Sequence, residues 1–152
     1  MPTEVTMAET SNVPKYASLL GFAGAAPFVA GIVLLYAYNE PFRGWGSWIL
    51  ISYGAIILSF MGGVHWGAAM LRQDNSIGSL GRSVMPSLLA LPALAINGAN
   101  GLLILALGFL GLVIYDLTEV QKKRLPQWYP SLRQPLTTIV VISLFLGAYA
   151  VR

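Results

Sequence analysis

Long apolar stretches separated by short groups of charged residues dominate the pattern of this chain. No charged residue occurs between Lys15 and Glu40, and a second charge-free stretch precedes Arg72. Each stretch is long enough to cross the hydrocarbon core of a bilayer, which needs about 20 apolar residues rising about 1.5 Å each. The pattern therefore predicts two transmembrane helices, over residues 16–38 and 47–71.

The stretch between Arg82 and Asp116 is also charge-free, but its 33 residues are too many for one spanning helix and slightly few for two. It contains two prolines, which disturb a helix interior, and two Asn-Gly pairs, which favour turns. We therefore expect two short helices, over residues 83–96 and 101–115, joined by a tight turn. A last apolar stretch predicts a fifth helix over residues 136–151.

Composition and charge support a membrane protein with five spans. Of 152 residues, 56% are hydrophobic and only 10% are charged, whereas soluble domains carry about 25% charged residues. Five spans place seven basic residues on one side of the membrane and two on the other, whereas a single span over 83–115 would divide them four to five. The seven are Lys15, Arg72, Arg82, Lys122, Lys123, Arg124 and Arg133, and the two are Arg43 and Arg152.

Because Lys and Arg accumulate in cytoplasmic loops, this division places the N-terminus inside and the C-terminus outside. The chain is thus predicted to be an all-α, polytopic membrane helix bundle. Residues 1–13 are expected to form a flexible tail and residues 14–152 a single transmembrane helical domain. The positive net charge of +3 is interpreted as orientation in the membrane, and no nucleic-acid partner is expected.

Candidate chemistry is sparse. The chain has no cysteine and one histidine, which excludes disulfides and a closed His/Cys metal site within it. It also lacks a phosphate-binding loop, a dinucleotide-binding glycine motif and a nucleophile elbow. We therefore predict no catalytic residue and no metal ligand.

The densest motif is the segment 60–67, which contains His65 and the pair Gly63 and Gly67. The two glycines form a small-xxx-small pair, which predicts close packing of another helix. A histidine inside a span is costly without a partner. His65 is either a neutral imidazole bonded to a neighbouring helix, or it acts in proton transfer, quinone binding or single-axial haem ligation.

Several polar residues are expected at the cytoplasmic ends of the spans, where they could converge on one pocket. These candidates are His65, Trp66, Arg82, Asp116, Arg133 and Thr137. The alternative is that Asp116 ends a helix and that the arginines anchor to lipid phosphates. The loop 116–135 is predicted to be the only sizeable soluble segment, and its Trp128 and Tyr129 are interpreted as an interfacial turn or a docking surface for another subunit.

These residues also resemble a known family. The matching elements are Leu20-Gly21, Pro27-Phe28, the run 53–67, Asp116, 126–129, Leu132-Arg133 and Leu136-Thr137. Together they resemble the domain of unknown function 3429 family, which includes bacterial inner-membrane proteins and the mitochondrial transmembrane protein 69. The resemblance implies a small multi-pass protein of the bacterial inner (cytoplasmic) membrane and supplies no established reaction.

Two functions from different classes follow from this pattern. The first is an accessory or assembly subunit of a larger membrane complex, for example a respiratory one, with the bilayer and other membrane subunits as partners. The second is a membrane enzyme or carrier that binds a lipid-like or quinone-like molecule in a cytoplasm-facing pocket around His65 and Asp116.

Overall fold

The structure is a computed structural model that describes residues 12–122 and 124–152. Within those ranges it consists of five α-helices and no strand. The helices are α1 (Lys15–Ala37), α2 (Phe42–Leu71), α3 (Ile77–Ile96), α4 (Gly98–Gln121) and α5 (Tyr129–Ala150). All five are long and apolar enough to cross a membrane. The predicted five-helix bundle is confirmed, whereas most of the predicted tail, residues 1–11, lies outside the described residues.

Several helices extend beyond the predicted spans, because the predictions stopped at charged residues and prolines. The helix α2 begins at Phe42, and α3 begins before Arg82. The helix α4 continues past Asp116. The segment 116–135 is therefore mostly helical, and its prediction as a loop is wrong. Asp116 can lie within a helix because other side chains satisfy its carboxylate.

The predicted turn between the third and fourth spans is confirmed at its first Asn-Gly pair. Asn97 and Gly98 both have positive φ angles, of 53° and 56°, which Gly and Asn adopt more readily than other residues. The second pair, Asn100-Gly101, lies inside α4, so the two helices are full-length rather than short. A Cβ at Gly101 would overlap with the Ala93 carbonyl oxygen, which shows how closely α3 and α4 approach.

The core of the bundle is organised around α2, which contacts all four other helices. Its buried Leu50 and Leu58 belong to an apolar cluster that also contains Phe28, Phe109 and Leu144. Contact with every other described helix places α2 at the centre of the bundle. Burial of such side chains from several helices is what sets the arrangement of the bundle, since helix association in lipid depends on packing.

Within the segment 60–67 of α2, the glycine that another described helix approaches most closely is not one of the two that were predicted. A Cβ at Gly62 would overlap with the carbonyl oxygen of Ser83 on α3, whereas one at Gly63 or Gly67 would meet no atom within 4 Å in the described part of the chain. Gly62 is thus the glycine on which α3 packs. Gly63 and Gly67 meet no other helix among residues 12–122 and 124–152, so their role in helix packing stays a prediction.

The helix ends form two groups. Near the start of α1, Gly21 lies against Leu132 and Leu136 in the first half of α5. At the opposite end, Arg43 donates a hydrogen bond of 2.6 Å to the Ala150 carbonyl, near the end of α5. We call the first group the basic end, because it holds Lys15, Arg72, Arg82, Lys122, Arg124 and Arg133.

Candidate functional site

Three ionisable side chains from three helices meet near the basic end. Nε2 of His65 on α2 lies 2.6 Å from Oδ1 of Asp116 on α4. Nε of Arg133 on α5 donates to Oδ2 of the same carboxylate at 2.8 Å. The exposed fractions are 5% for His65, 2% for Asp116 and 6% for Arg133. We call these three residues the buried charge cluster.

Helix periodicity brings His65 inward. It shares the buried side of α2 with Gly54, Leu58 and Ala69, at spacings that place residues on one face of a helix. His65 precedes the end of α2 by six residues, or about 9 Å at 1.5 Å per residue. The cluster therefore lies within the apolar length of a candidate membrane span, where ionisable groups must find partners within the protein.

Opposite charges within the cluster compensate one another. The guanidinium of Arg133 neutralises the Asp116 carboxylate, and that carboxylate uses both oxygens as acceptors. Because an ionised carboxylate can only accept, Nε2 of His65 must carry the hydrogen of their shared bond. A single carboxylate thus joins α2, α4 and α5 at one point.

The remaining pocket candidates lie at different distances from this cluster. The ring of Tyr115 packs against His65 with centroids 4.7 Å apart, and Cζ of Arg82 lies 5.4 Å from the Tyr115 centroid. Arg82 is therefore connected to the cluster through an aromatic ring, as in cation–π contacts. Trp66 is 41% exposed and belongs to the outer surface of α2.

Thr137 lies one helical turn after Arg133 and is buried. Its Oγ1 has no hydrogen-bond partner among residues 12–122 and 124–152. The residue borders a cavity between α4 and α5. The structure thus brings together His65, Asp116 and Arg133, places Thr137 beside them, and leaves Arg82 and Trp66 at the periphery.

A second buried carboxylate was not predicted. Glu119 is only 2% exposed, and both of its oxygens lie 3.4 Å from Nη1 of Arg124. The Nζ atom of Lys122 is 3.9 Å from Oε1. The sequence signal was present, because Glu119 follows Asp116 by three residues and so shares its helix face, and basic residues follow directly.

A cavity adjoins the buried charge cluster, with Arg133 in its lining. It has a volume of about 200 Å³ and lies between α1, α2 and α5. Its lining is Leu20, Gly21, Gly24, Ala25, Phe28, Ile57, Phe60, Met61, Tyr129, Leu132, Arg133, Leu136 and Val140. Among the described residues, Arg133 is the only charged side chain in this lining. Tyr129 is the first residue of α5, and its neighbour Trp128 packs against it with ring centroids 6.1 Å apart.

No group of three or more His, Asp and Glu side chains in the described ranges could hold a metal ion. The hydrogen bond from Nε2 of His65 to Asp116 engages one of the two ring nitrogens that a ligand could use. Quinone or haem contact through His65 remains a prediction.

Comparison with known proteins agrees with this architecture. A family model described as "Protein of unknown function (DUF3429)" matches residues 13–149. The chain belongs to this family. It is also similar to Transmembrane protein 69 of Xenopus tropicalis, with 37% identity over 146 residues that cover 88% of this chain and 53% of the relative. The chain therefore spans about half the length of that curated relative. No solved structure matches.

Proposed function

We propose that this protein is an accessory or assembly subunit of a larger complex in the bacterial inner membrane, and that it docks a transmembrane helix of another subunit on α2. The observation that carries this proposal is an open glycine notch on α2, formed by Gly63 and Gly67. No described part of the chain occupies the space above either residue.

Large side chains surround this notch. Ile56, Phe60 and Met70 lie on the same side of α2 as Gly63, by the 100° rotation per residue of an α-helix, and all three are exposed. Two glycines between protruding side chains allow the backbone of a second helix to approach closely. The occupant is expected to be a helix because lipid-exposed backbone at this depth must satisfy its own hydrogen bonds.

The test is co-purification from native membranes in a mild detergent. The double variant Gly63→Leu with Gly67→Leu should lose the proteins that accompany the wild type. The matched control Gly81→Leu changes an exposed glycine of α3 that also has nothing within 4 Å in the described structure, and it should retain them. A wild-type chain that always purifies alone, or only with further copies of itself, would contradict the proposal.

A second candidate is a membrane enzyme or carrier for a lipid-like or quinone-like molecule near His65 and Asp116. It is supported by the position of Arg133, which belongs both to the buried charge cluster and to the lining of the cavity. The test is complementation of a deletion strain by His65→Ala and Asp116→Asn, with the amount of each variant in the membrane measured in parallel. Full complementation by both variants would exclude this role.

A further inference from the structure

The nitrogen atoms Nε and Nη2 of Arg133 differ in their hydrogen bonding. Its Nε is bonded to Asp116, whereas its Nη2 is buried and has no hydrogen-bond partner within residues 12–122 and 124–152. The residue is 94% buried, from its 6% exposed fraction, and it lines the cavity between α1, α2 and α5. A buried donor without an acceptor is costly and uncommon in native structures, so this atom indicates an acceptor that the described part of the chain does not supply.

We infer that the cavity binds an amphiphile whose polar end is an uncharged carbonyl group, held by Nη2 of Arg133, and whose body is hydrocarbon. Long-chain esters and alkylated quinones share this chemistry. This inference refines the second function proposed above, and it does not depend on the accessory role.

Charge favours an uncharged acceptor over an anion. The Asp116 carboxylate already neutralises the Arg133 guanidinium. A carboxylate ligand would set two negative charges against one guanidinium in a medium of low dielectric constant. A carbonyl oxygen accepts the hydrogen bond without that cost. The rest of the lining is almost entirely apolar, which suits hydrocarbon.

Shape and depth fit the same molecule. The lining residues of α5 extend from Tyr129 to Val140, which is about 16 Å at 1.5 Å per residue. Arg133 lies towards the outer end of this length, where the polar group of a membrane amphiphile would be. A cavity of about 200 Å³ exceeds the roughly 150 Å³ apolar cavity that accommodates benzene. Leu20 and Phe60 line the cavity and are exposed, so a longer tail can leave between α1 and α2.

The experiment measures equilibrium binding to the full chain in dodecyl maltoside, a detergent that contains no carbonyl group. Three radiolabelled probes are compared: methyl palmitate, a decyl-substituted benzoquinone, and palmitate at a pH where it is ionised. At least one of the two carbonyl probes should bind saturably. The probe that binds more tightly shows whether the cavity prefers an ester or a quinone. Palmitate should bind at least tenfold more weakly than methyl palmitate.

Two variants and one control connect binding to this cavity. Arg133→Lys should weaken binding of the carbonyl probe about tenfold or more, because it removes the Nη2 donor and retains a positive charge. Gly24→Leu fills the cavity. Among the described residues, a Cβ there meets only the Tyr53 hydroxyl, at 3.8 Å, so the fold should accept it. Gly24→Leu should likewise reduce binding tenfold or more. Gly111→Leu changes an exposed glycine of α4 whose Cβ would meet nothing within 4 Å in the described structure, and it should leave binding unchanged.

The inference is overturned if no carbonyl probe binds, if palmitate binds as tightly as the ester, or if Gly24→Leu binds like the wild type. If Arg133→Lys does not fold, Gly24→Leu decides the result alone. Because binding is measured on the purified chain, its failure would leave the accessory role untouched. Complementation by the variants of His65 and Asp116 is a separate result that tests cellular function.

Discussion

Nε2 of His65 lies 2.6 Å from Oδ1 of Asp116, although 51 residues separate them in the chain. The other oxygen of the same carboxylate accepts a hydrogen bond from Arg133. Each of these buried groups depends on the others for compensation, so substitutions within the cluster should not have additive effects on stability.

Asp116→Asn should destabilise the bundle strongly. The substitution leaves the guanidinium of Arg133 buried without a counter-charge, which typically costs about 3–5 kcal/mol. Unfolding of the purified protein in mixed detergent and dodecyl sulfate micelles measures the effect. Glu40→Gln, which changes an exposed carboxylate, is the control and should change the free energy of unfolding by less than about 0.5 kcal/mol. Similar values for the two variants would contradict the structural role of the cluster.

Replacement of His65 should depend on whether the new side chain can donate a hydrogen bond. His65→Phe leaves Oδ1 of Asp116 without its partner and should cost about 1–3 kcal/mol. His65→Gln retains a donor and should cost less. The two variants are compared by the same unfolding measurement, and an equal loss in both would show that ring packing against Tyr115, rather than the hydrogen bond, stabilises this site.

Two adjacent glycines should differ in how strongly the same substitution affects stability. Gly62→Ala should destabilise the protein by about 1–3 kcal/mol, as overpacking does, because the new methyl group would overlap with the Ser83 carbonyl oxygen. Gly63→Ala should change stability by less than about 0.5 kcal/mol, since its Cβ meets nothing within 4 Å in the described structure. Thermal unfolding of the isolated chain checks this order, and a reversed order would place the α2–α3 contact elsewhere.

Asp74, in the link between α2 and α3, should contribute a pH-dependent term to stability. Hydrogen bonds from Ser79 and Ser76 lower the pKa of its carboxyl from 3.8 to about 2. A lowered pKa in the folded state means that the contribution is present above about pH 4 and is lost as the pH falls towards 2. The melting temperature of the wild type should therefore exceed that of Asp74→Asn at pH 6, and the gap should narrow by pH 2. A gap that does not change with pH would contradict this pKa.

The orientation of the bundle can be tested directly, because the chain has no native cysteine. Gln127→Cys lies in the link between α4 and α5 at the basic end, and Arg152→Cys lies at the opposite end; both positions are exposed. With the N-terminus inside, a membrane-impermeant maleimide added to intact spheroplasts should label only the cysteine at 152. Labelling of the cysteine at 127 alone would reverse the predicted topology.

Residue-level packing was harder to predict than the candidate cluster. His65 and Asp116 could be predicted as candidate site residues because ionisable groups in apolar segments need partners. The sequence did not show that Arg133 binds the carboxylate from a helix that begins at Tyr129. Gly63 and Gly67 matched a general packing pattern, whereas Gly62 is the residue that meets α3. Which side of a helix faces a neighbour depends on how the whole bundle assembles.

By itself, the sequence determined that this protein is a five-span membrane bundle, because span length and charge-free stretches are dictated by the thickness and low polarity of the bilayer. Only the tertiary structure decided that one carboxylate would join His65 to Arg133, and that Arg133, which lines a cavity, would keep an Nη2 donor without an acceptor among the described residues. These relationships depend on the rotation and crossing of separate helices, which arise from long-range packing rather than from any local pattern of residues.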